Sequence, residues 1–98
     1  MDIIKRDGTK EPLKLAKISS RINKLTYGLH EIVDPDKVSA KVASGLYDGV
    51  SSAQLDQLSA ETAASLITEH PDYGKLAARI AITSLYKEVI AILAANFP

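Results

Sequence analysis

The chain has 98 residues, 12 Lys+Arg against 12 Asp+Glu, and neither cysteine nor tryptophan. That length supports one small domain around a single core and is too short for a sheet-and-crossover enzyme with its own cofactor fold; zero cysteine excludes disulfides, thiolate nucleophiles and Cys-containing zinc sites. The neutral total hides an asymmetry: residues 1–24 carry seven basic and three acidic side chains and the other 74 carry five and nine, so a net of +4 faces a net of −4 and the positive end points to an anionic, phosphate-bearing partner.

Ile3 and Ile4 open an extended segment, Asp7-Gly8 supplies a turn dipeptide, and Lys10 to Leu15 resumes with polar/apolar alternation, the pattern of a β-hairpin. Pro12 has no ladder N–H, so its strand belongs at a sheet edge. From Ala16 to Leu29 the period becomes helical, with Ile18, Ile22, Leu25 and Leu29 on one stripe. Asp34-Pro35 supplies an N-cap and a first-position proline for a second helix through Val38, Val42 and Leu46, ending near Tyr47-Asp48-Gly49. Ser51 and Gln54 have capping-box spacing and start a third helix that His70-Pro71 ends. Asp72 is expected to cap a fourth helix through Leu76, Ile80 and Leu85 to about Leu93, with Ala94 to Pro98 reading as the start of something else. The order ββαααα is a basic hairpin laid over a small helix bundle, an α+β fold.

No run reaches the roughly 20 apolar residues of a membrane span, and the basic start leads into no signal-peptide core, so the expected location is cytoplasmic. The five glycines are scattered and form neither a P-loop nor a dinucleotide fingerprint, so nucleotide binding would rest on side chains and short turns. His30 and His70 sit at expected helix ends, where an imidazole usually caps or is solvated. Lys5-Arg6-Asp7-Gly8 reads either as a solvated hairpin tip or as an anion grip in which the arginine fork and the lysine point charge turn toward one phosphate. Glu11 on the return strand suits a base amino group or a ribose hydroxyl. Lys17 in a first helical turn opposes the helix dipole unless an anion lies nearby, while Asp56 is explained equally well as a helix-start carboxylate.

Ile4-Lys5-Arg6-Asp7-Gly8, Glu11, Lys17-Ile18-Ser19-Ser20-Arg21-Ile22, Val33-Asp34-Pro35, Gly45-Leu46-Tyr47-Asp48-Gly49-Val50, Ala60-Glu61-Thr62-Ala63-Ala64 and His70-Pro71-Asp72-Tyr73 form an ordered series. It closely resembles the ATP-cone, the regulatory nucleotide-binding domain of ribonucleotide reductases, over residues 1 to about 90. The resemblance implies a four-helix bundle capped by a roughly three-stranded sheet, its third strand near Gly49-Val50-Ser51. It also implies a non-catalytic domain that binds ATP or dATP, with Mg²⁺ held mainly by the phosphates, and controls a parent reductase through effector-dependent oligomers with other subunits or cones. Carried over by local match, Lys5, Arg6, Lys17 and Lys87 are phosphate and nucleotide contacts, Glu11 reads adenine, and Ser52 and Asp56 occupy positions tied to telling ATP from dATP. Residues 91–98 would begin a linker; Val89 to Pro98 is more apolar than the charged helix usual in large-subunit cones, and cones also occur fused to the small subunit, the large one being slightly favoured here. A degenerate cone acting as a partner-docking module, a transcriptional repressor domain and nucleic-acid binding through Lys17, Arg21 and Lys24 are the competing readings; neither a membrane nor a nucleic-acid partner is expected.

Overall fold

A computed structural model describes residues 1–96. Three short strands, β1 (Asp2–Ile4), β2 (Lys10–Pro12) and β3 (Val50–Ser51), form one sheet in the order β2-β1-β3. Four helices surround it: α1 (Leu15–Asn23), α2 (Pro35–Ser44), α3 (Ser52–Ser65), which a 3₁₀ turn at Leu66–Thr68 extends, and α4 (Asp72–Asn96). β1 pairs antiparallel with β2, setting Ile3 opposite Glu11, and parallel with β3, setting Ile3 beside Val50 and Ile4 beside Ser51. Pro12 therefore lies on an edge strand, as its missing N–H requires.

The hairpin loop is wider than a two-residue turn. Lys5 N–H donates to the Thr9 carbonyl at 2.8 Å and Gly8 N–H to the Lys5 carbonyl at 2.9 Å, while the Asp7 carboxylate accepts from the Thr9 N–H at 2.9 Å and its hydroxyl at 2.6 Å. Gly8 takes φ +88°, where a Cβ would strain the backbone. Gly49, at φ +84°, donates its N–H to the Asp2 carbonyl at 2.9 Å and so fastens the start of β3 to β1.

Helix boundaries depart from the periodicity in identifiable ways. α1 stops at Asn23 instead of running to Leu29, and the chain continues in turns, yet Leu25 and Leu29 still pack on the core. α2 stops at Ser44, short of Tyr47-Asp48-Gly49, because the strand β3 must start two residues after Asp48. The Ser51–Gln54 capping box is formed as expected, and Asp34 caps α2 by accepting from the Asp36 N–H at 2.9 Å. Asp72 does not cap its own helix. His70 Nδ1 accepts the Asp72 N–H at 3.0 Å, which frees the Asp72 carboxylate to accept the His30 backbone N–H at 2.8 Å. The two imidazoles stack with centroids 4.6 Å apart, so both histidines act as local caps. α4 continues unbroken through residue 93 to Asn96; Phe97 and Pro98 lie outside the described residues.

The core joins Ile3 and Val50 from the sheet to Ile18 and Ile22 of α1, Val38 and Val42 of α2, Leu55 and Ala63 of α3, and Tyr73, Leu76 and Ile80 of α4. Ser39 and Ser59 are buried within it, each hydroxyl donating at 2.8 Å to the carbonyl four residues back, and among the described residues no buried side-chain N or O lacks a partner. None of the described helices is long and apolar enough to cross a membrane.

Tyr73 is the tightest joint. Only 1% exposed, its hydroxyl donates to the Ile32 carbonyl and accepts the Asp34 N–H, both at 3.0 Å, which pins the α1–α2 connection and the α2 cap to the start of α4. Tyr73→Phe leaves that carbonyl and N–H without their partner and is expected to lower unfolding free energy by about 1–3 kcal/mol. A urea midpoint equal to that of the parent chain would show that water replaces the hydroxyl at no cost.

Candidate functional site

Seven residues carry the functional expectation, and the fold gathers them at the hairpin end of the bundle as two carboxylate-centred clusters. Lys5, just after β1, reaches Glu11 on β2 at 3.3 Å, and Lys17, in the first turn of α1, reaches the other Glu11 oxygen at 2.6 Å. Arg6 turns the opposite way and meets Asp56 of α3 at 3.3 Å, where Lys87 of α4 also approaches to 3.9 Å. The hairpin loop that follows β1 thus sends Lys5 and Arg6 to different anions instead of one. Ser52 lies between the clusters at the start of α3, mostly buried, its hydroxyl directed at the Ile4 carbonyl at 3.4 Å.

Each cation has a local reason for its position. Lys17 stands in a first helical turn that lacks any acidic residue, and Glu11 supplies the anion that the unfavourable helix end calls for. Asp56 occupies the first turns of α3, where the helix dipole favours a carboxylate, and its side chain is 14% exposed, so the two cations offset much of the cost of its partial desolvation. Hydrogen bonds from Lys17 first and Lys5 second hold the Glu11 carboxyl below the ordinary carboxylate range, against an opposing push from partial burial. Asp7 is lowered chiefly by the Thr9 hydroxyl and N–H, and Asp72 chiefly by the His30 N–H.

Beside Asp56 a cleft of about 330 Å³ opens between α1, α3 and α4. Its floor is largely apolar, with Ile22, Leu55 and Ile80 beside the buried Ser59, and its rim is polar, with Arg21, Lys24, Asp56, Ser84 and Lys87. A smaller depression on the hairpin side is lined by Glu11 and Lys17, and Ile18, Arg21 and Leu55 border both hollows. An apolar floor for a flat ring with convergent cations at the rim is suited to a phosphorylated heterocycle, and the volume lies at the lower end for small-ligand sites. Arg21, Lys24, Ser59 and Ser84 were not among the expected site residues; the signal available for Arg21 was its position four residues after Lys17 on the same α1 face. Among the described residues no three His, Asp or Glu side chains converge on a metal position.

A small helix bundle capped by a three-stranded sheet, with paired cations and a cleft at its hairpin end, is the architecture of a regulatory cone domain. The chain belongs to the ATP-cone family, whose description, ATP cone domain, matches residues 1–88. It is 56% identical over 87 residues to the ribonucleoside-diphosphate reductase large subunit of Caenorhabditis elegans, covering 88% of this chain and 11% of that protein. Over 89 residues, 90% of this chain, it is 55% identical to the large subunit of Danio rerio and 53% identical to large chain 2 of Saccharomyces cerevisiae, covering 11% and 10% of those proteins. The chain therefore spans about a tenth of the length of the curated relatives it matches.

The lowered Glu11 carboxyl has a definite consequence for acid stability. Its folded-state pKa lies below the ordinary 4.5, so ionised Glu11 stabilises the native state above that pH, and this contribution disappears as pH falls through the folded value. Glu11→Gln is expected to flatten the loss of urea resistance below about pH 4.5 while leaving the neutral-pH fold intact. The same acid dependence in parent and variant would mean that the Lys5–Glu11–Lys17 cluster contributes nothing to folding.

Proposed function

We propose that this chain is the adenine-nucleotide sensor of a ribonucleoside-diphosphate reductase large subunit, distinguishing ATP from dATP and setting overall activity through the parent's oligomeric state. Residues 1–90 are the sensing unit, and 91–98 begin the connection to the rest. The observation that carries this reading is the pair of clusters: Glu11 and Asp56 each hold two of the four cations assigned to phosphate, so the cations are pre-positioned beside the cleft before any ligand arrives. A triphosphate would take over Lys5, Arg6, Lys17 and Lys87. Glu11, relieved of its lysines, would then accept from the adenine amino group, and Mg²⁺ would offset the remaining phosphate charge. Exchange of anions is electrostatically cheap, because each cation keeps a negative neighbour throughout.

Calorimetry on the 98-residue chain with Mg²⁺ and ATP, dATP or GTP tests adenine selectivity. Heat from ATP and dATP with little from GTP is expected; equal or absent heat from all three would favour a cone that has lost its nucleotide and serves only as a docking module. Lys5→Ala and Lys87→Ala should each weaken ATP and dATP by about 1.5–3 kcal/mol, the range for a charge-assisted hydrogen bond, with native circular dichroism.

Asp56 is assigned to discrimination. It shares a helix face with Ser52 and accepts charge from Arg6 and Lys87, so its oxygen and its two cations meet where a ribose hydroxyl or an ordered water would add or remove one hydrogen bond. Asp56→Asn keeps size and removes charge, and is expected to change the ATP-to-dATP affinity ratio by about 1 kcal/mol, roughly fivefold. An unchanged ratio would return Asp56 to the role of a helix-start carboxylate.

A further inference from the structure

The basic side chains of α1 and its two caps stand on one side of the helix. Lys14, Lys17 and Arg21 line the hairpin-side depression, and Arg21 and Lys24 line the cleft between α1, α3 and α4. Steps of three, four and three residues keep these four cations in one stripe, beside the buried Ile18 and Ile22. The other side of α1 presents Ala16, Ser19, Ser20 and Asn23 and is uncharged. Charge that served solubility alone would have no reason to gather on the concave side.

Arg21 differs from its neighbours in two respects. Among the described residues it is the one charged side chain that borders both hollows, where it stands with the buried Ile18 and Leu55. Lys17 and Lys5 rest on Glu11, and Arg6 and Lys87 on Asp56, whereas among the described residues Arg21 is in no ion pair. In the last turn of α1 a cation gains from the helix dipole, yet a lysine would serve that purpose as well. Arginine adds a planar fork of donors that matches two oxygens of a phosphate chain, which the point charge of lysine does not.

From this we infer that Arg21 is a fifth phosphate contact, gripping the phosphate chain of a bound nucleotide between the Glu11 and Asp56 clusters. This contact rests on the sensor reading: a single triphosphate that takes cations from both carboxylates runs along the border at which Arg21 stands. The four cations already assigned to phosphate must each leave a carboxylate when the ligand arrives. Arg21 has no such internal anion to give up, so its attraction for an incoming phosphate is not offset by a lost ion pair. Because ATP and dATP have the same phosphate chain, Arg21 sets affinity for both and does not tell them apart.

Calorimetry with Mg²⁺ and ATP or dATP compares the parent chain with Arg21→Gln, Arg21→Lys and Lys41→Gln, the last an equal loss of charge in the final turn of α2, outside both hollows. Arg21→Gln is expected to weaken both nucleotides by about tenfold, the loss of one charge-assisted contact, and Arg21→Lys by roughly threefold, because the charge stays and the fork goes. Lys41→Gln should bind as the parent does. Arg21→Lys keeps a cation at the helix end, so its urea midpoint should equal the parent's, which separates a phosphate contact from a helix-end role. Parent-like affinity in both Arg21 variants would overturn the contact and leave a helix-end cation. Parent-like affinity in Arg21→Lys alone would overturn the fork, an equal loss in Lys41→Gln would assign the effect to the field of the whole domain, and a changed ATP-to-dATP ratio would move Arg21 to the ribose, each against the proposal. A parent chain that gives no heat with either nucleotide would overturn the sensor reading itself, and this contact with it.

Discussion

The packing of the first turns of α4 against the rest of the molecule is the constraint on which the other features depend. Tyr73, Leu76 and Ile80 fill the bundle interior, and the Tyr73 hydroxyl ties α4 to the backbone at Ile32 and Asp34. Arg79 adds a second tie on the flank, donating to the Leu25 carbonyl at 2.9 Å and the Tyr27 carbonyl at 2.6 Å with its guanidinium 4.0 Å from the Tyr27 ring centre. Those contacts set the rotation of α4 about its axis. Because a helix is a rigid rod with a fixed period, the same rotation brings Lys87 within reach of Asp56 and turns Ile82 to solvent.

The hairpin is positioned by a different force. Ile3 and Val50 are buried side by side across the parallel β1–β3 pair, and this fixes β1 against the N-terminus of α3, where Arg6 meets Asp56. A three-residue edge strand such as β2 has little stability alone, and Glu11 helps to retain it through Lys5 and Lys17. Ion pairs near the surface contribute little folding energy, because water screens them. Their structural effect is to hold four cations together at the hairpin end, two on each carboxylate.

Burial and exposure therefore divide the molecule by role. The core is largely apolar and, among the described residues, its buried side-chain polar atoms are all partnered, while the clustered ion pairs around Glu11 and Asp56 stand at the hairpin end and only single pairs such as Lys37–Glu69 and Lys75–Asp72 lie elsewhere. The apolar outer face of α4 is the exception to that division, a hydrophobic surface on the side that does no work for the fold.

Much of this was legible in the residue order, because local signals act locally. Asp34-Pro35 and the Ser51–Gln54 box start helices through hydrogen bonds within one turn, and Pro12 marks an edge because the missing N–H is a property of the residue itself. The ordered motifs likewise identified the family, and with it the third strand, which two residues at Val50–Ser51 could never have announced by periodicity. What only the tertiary structure decided were the pairings at long separation. Lys5 and Arg6 adjoin in sequence but separate to Glu11 and Asp56, and the partner of Arg6 comes from fifty residues away. The stripe from Ile18 to Leu29 describes a helix that ends at Asn23, since Leu25 and Leu29 reach the core equally well from turns that Arg79 holds. His70 displaced Asp72 as the cap because packing brought the His30 N–H to that carboxylate. Apolar spacing records that a side chain is buried; only the folded chain decides by which backbone path it gets there and which distant charge it meets.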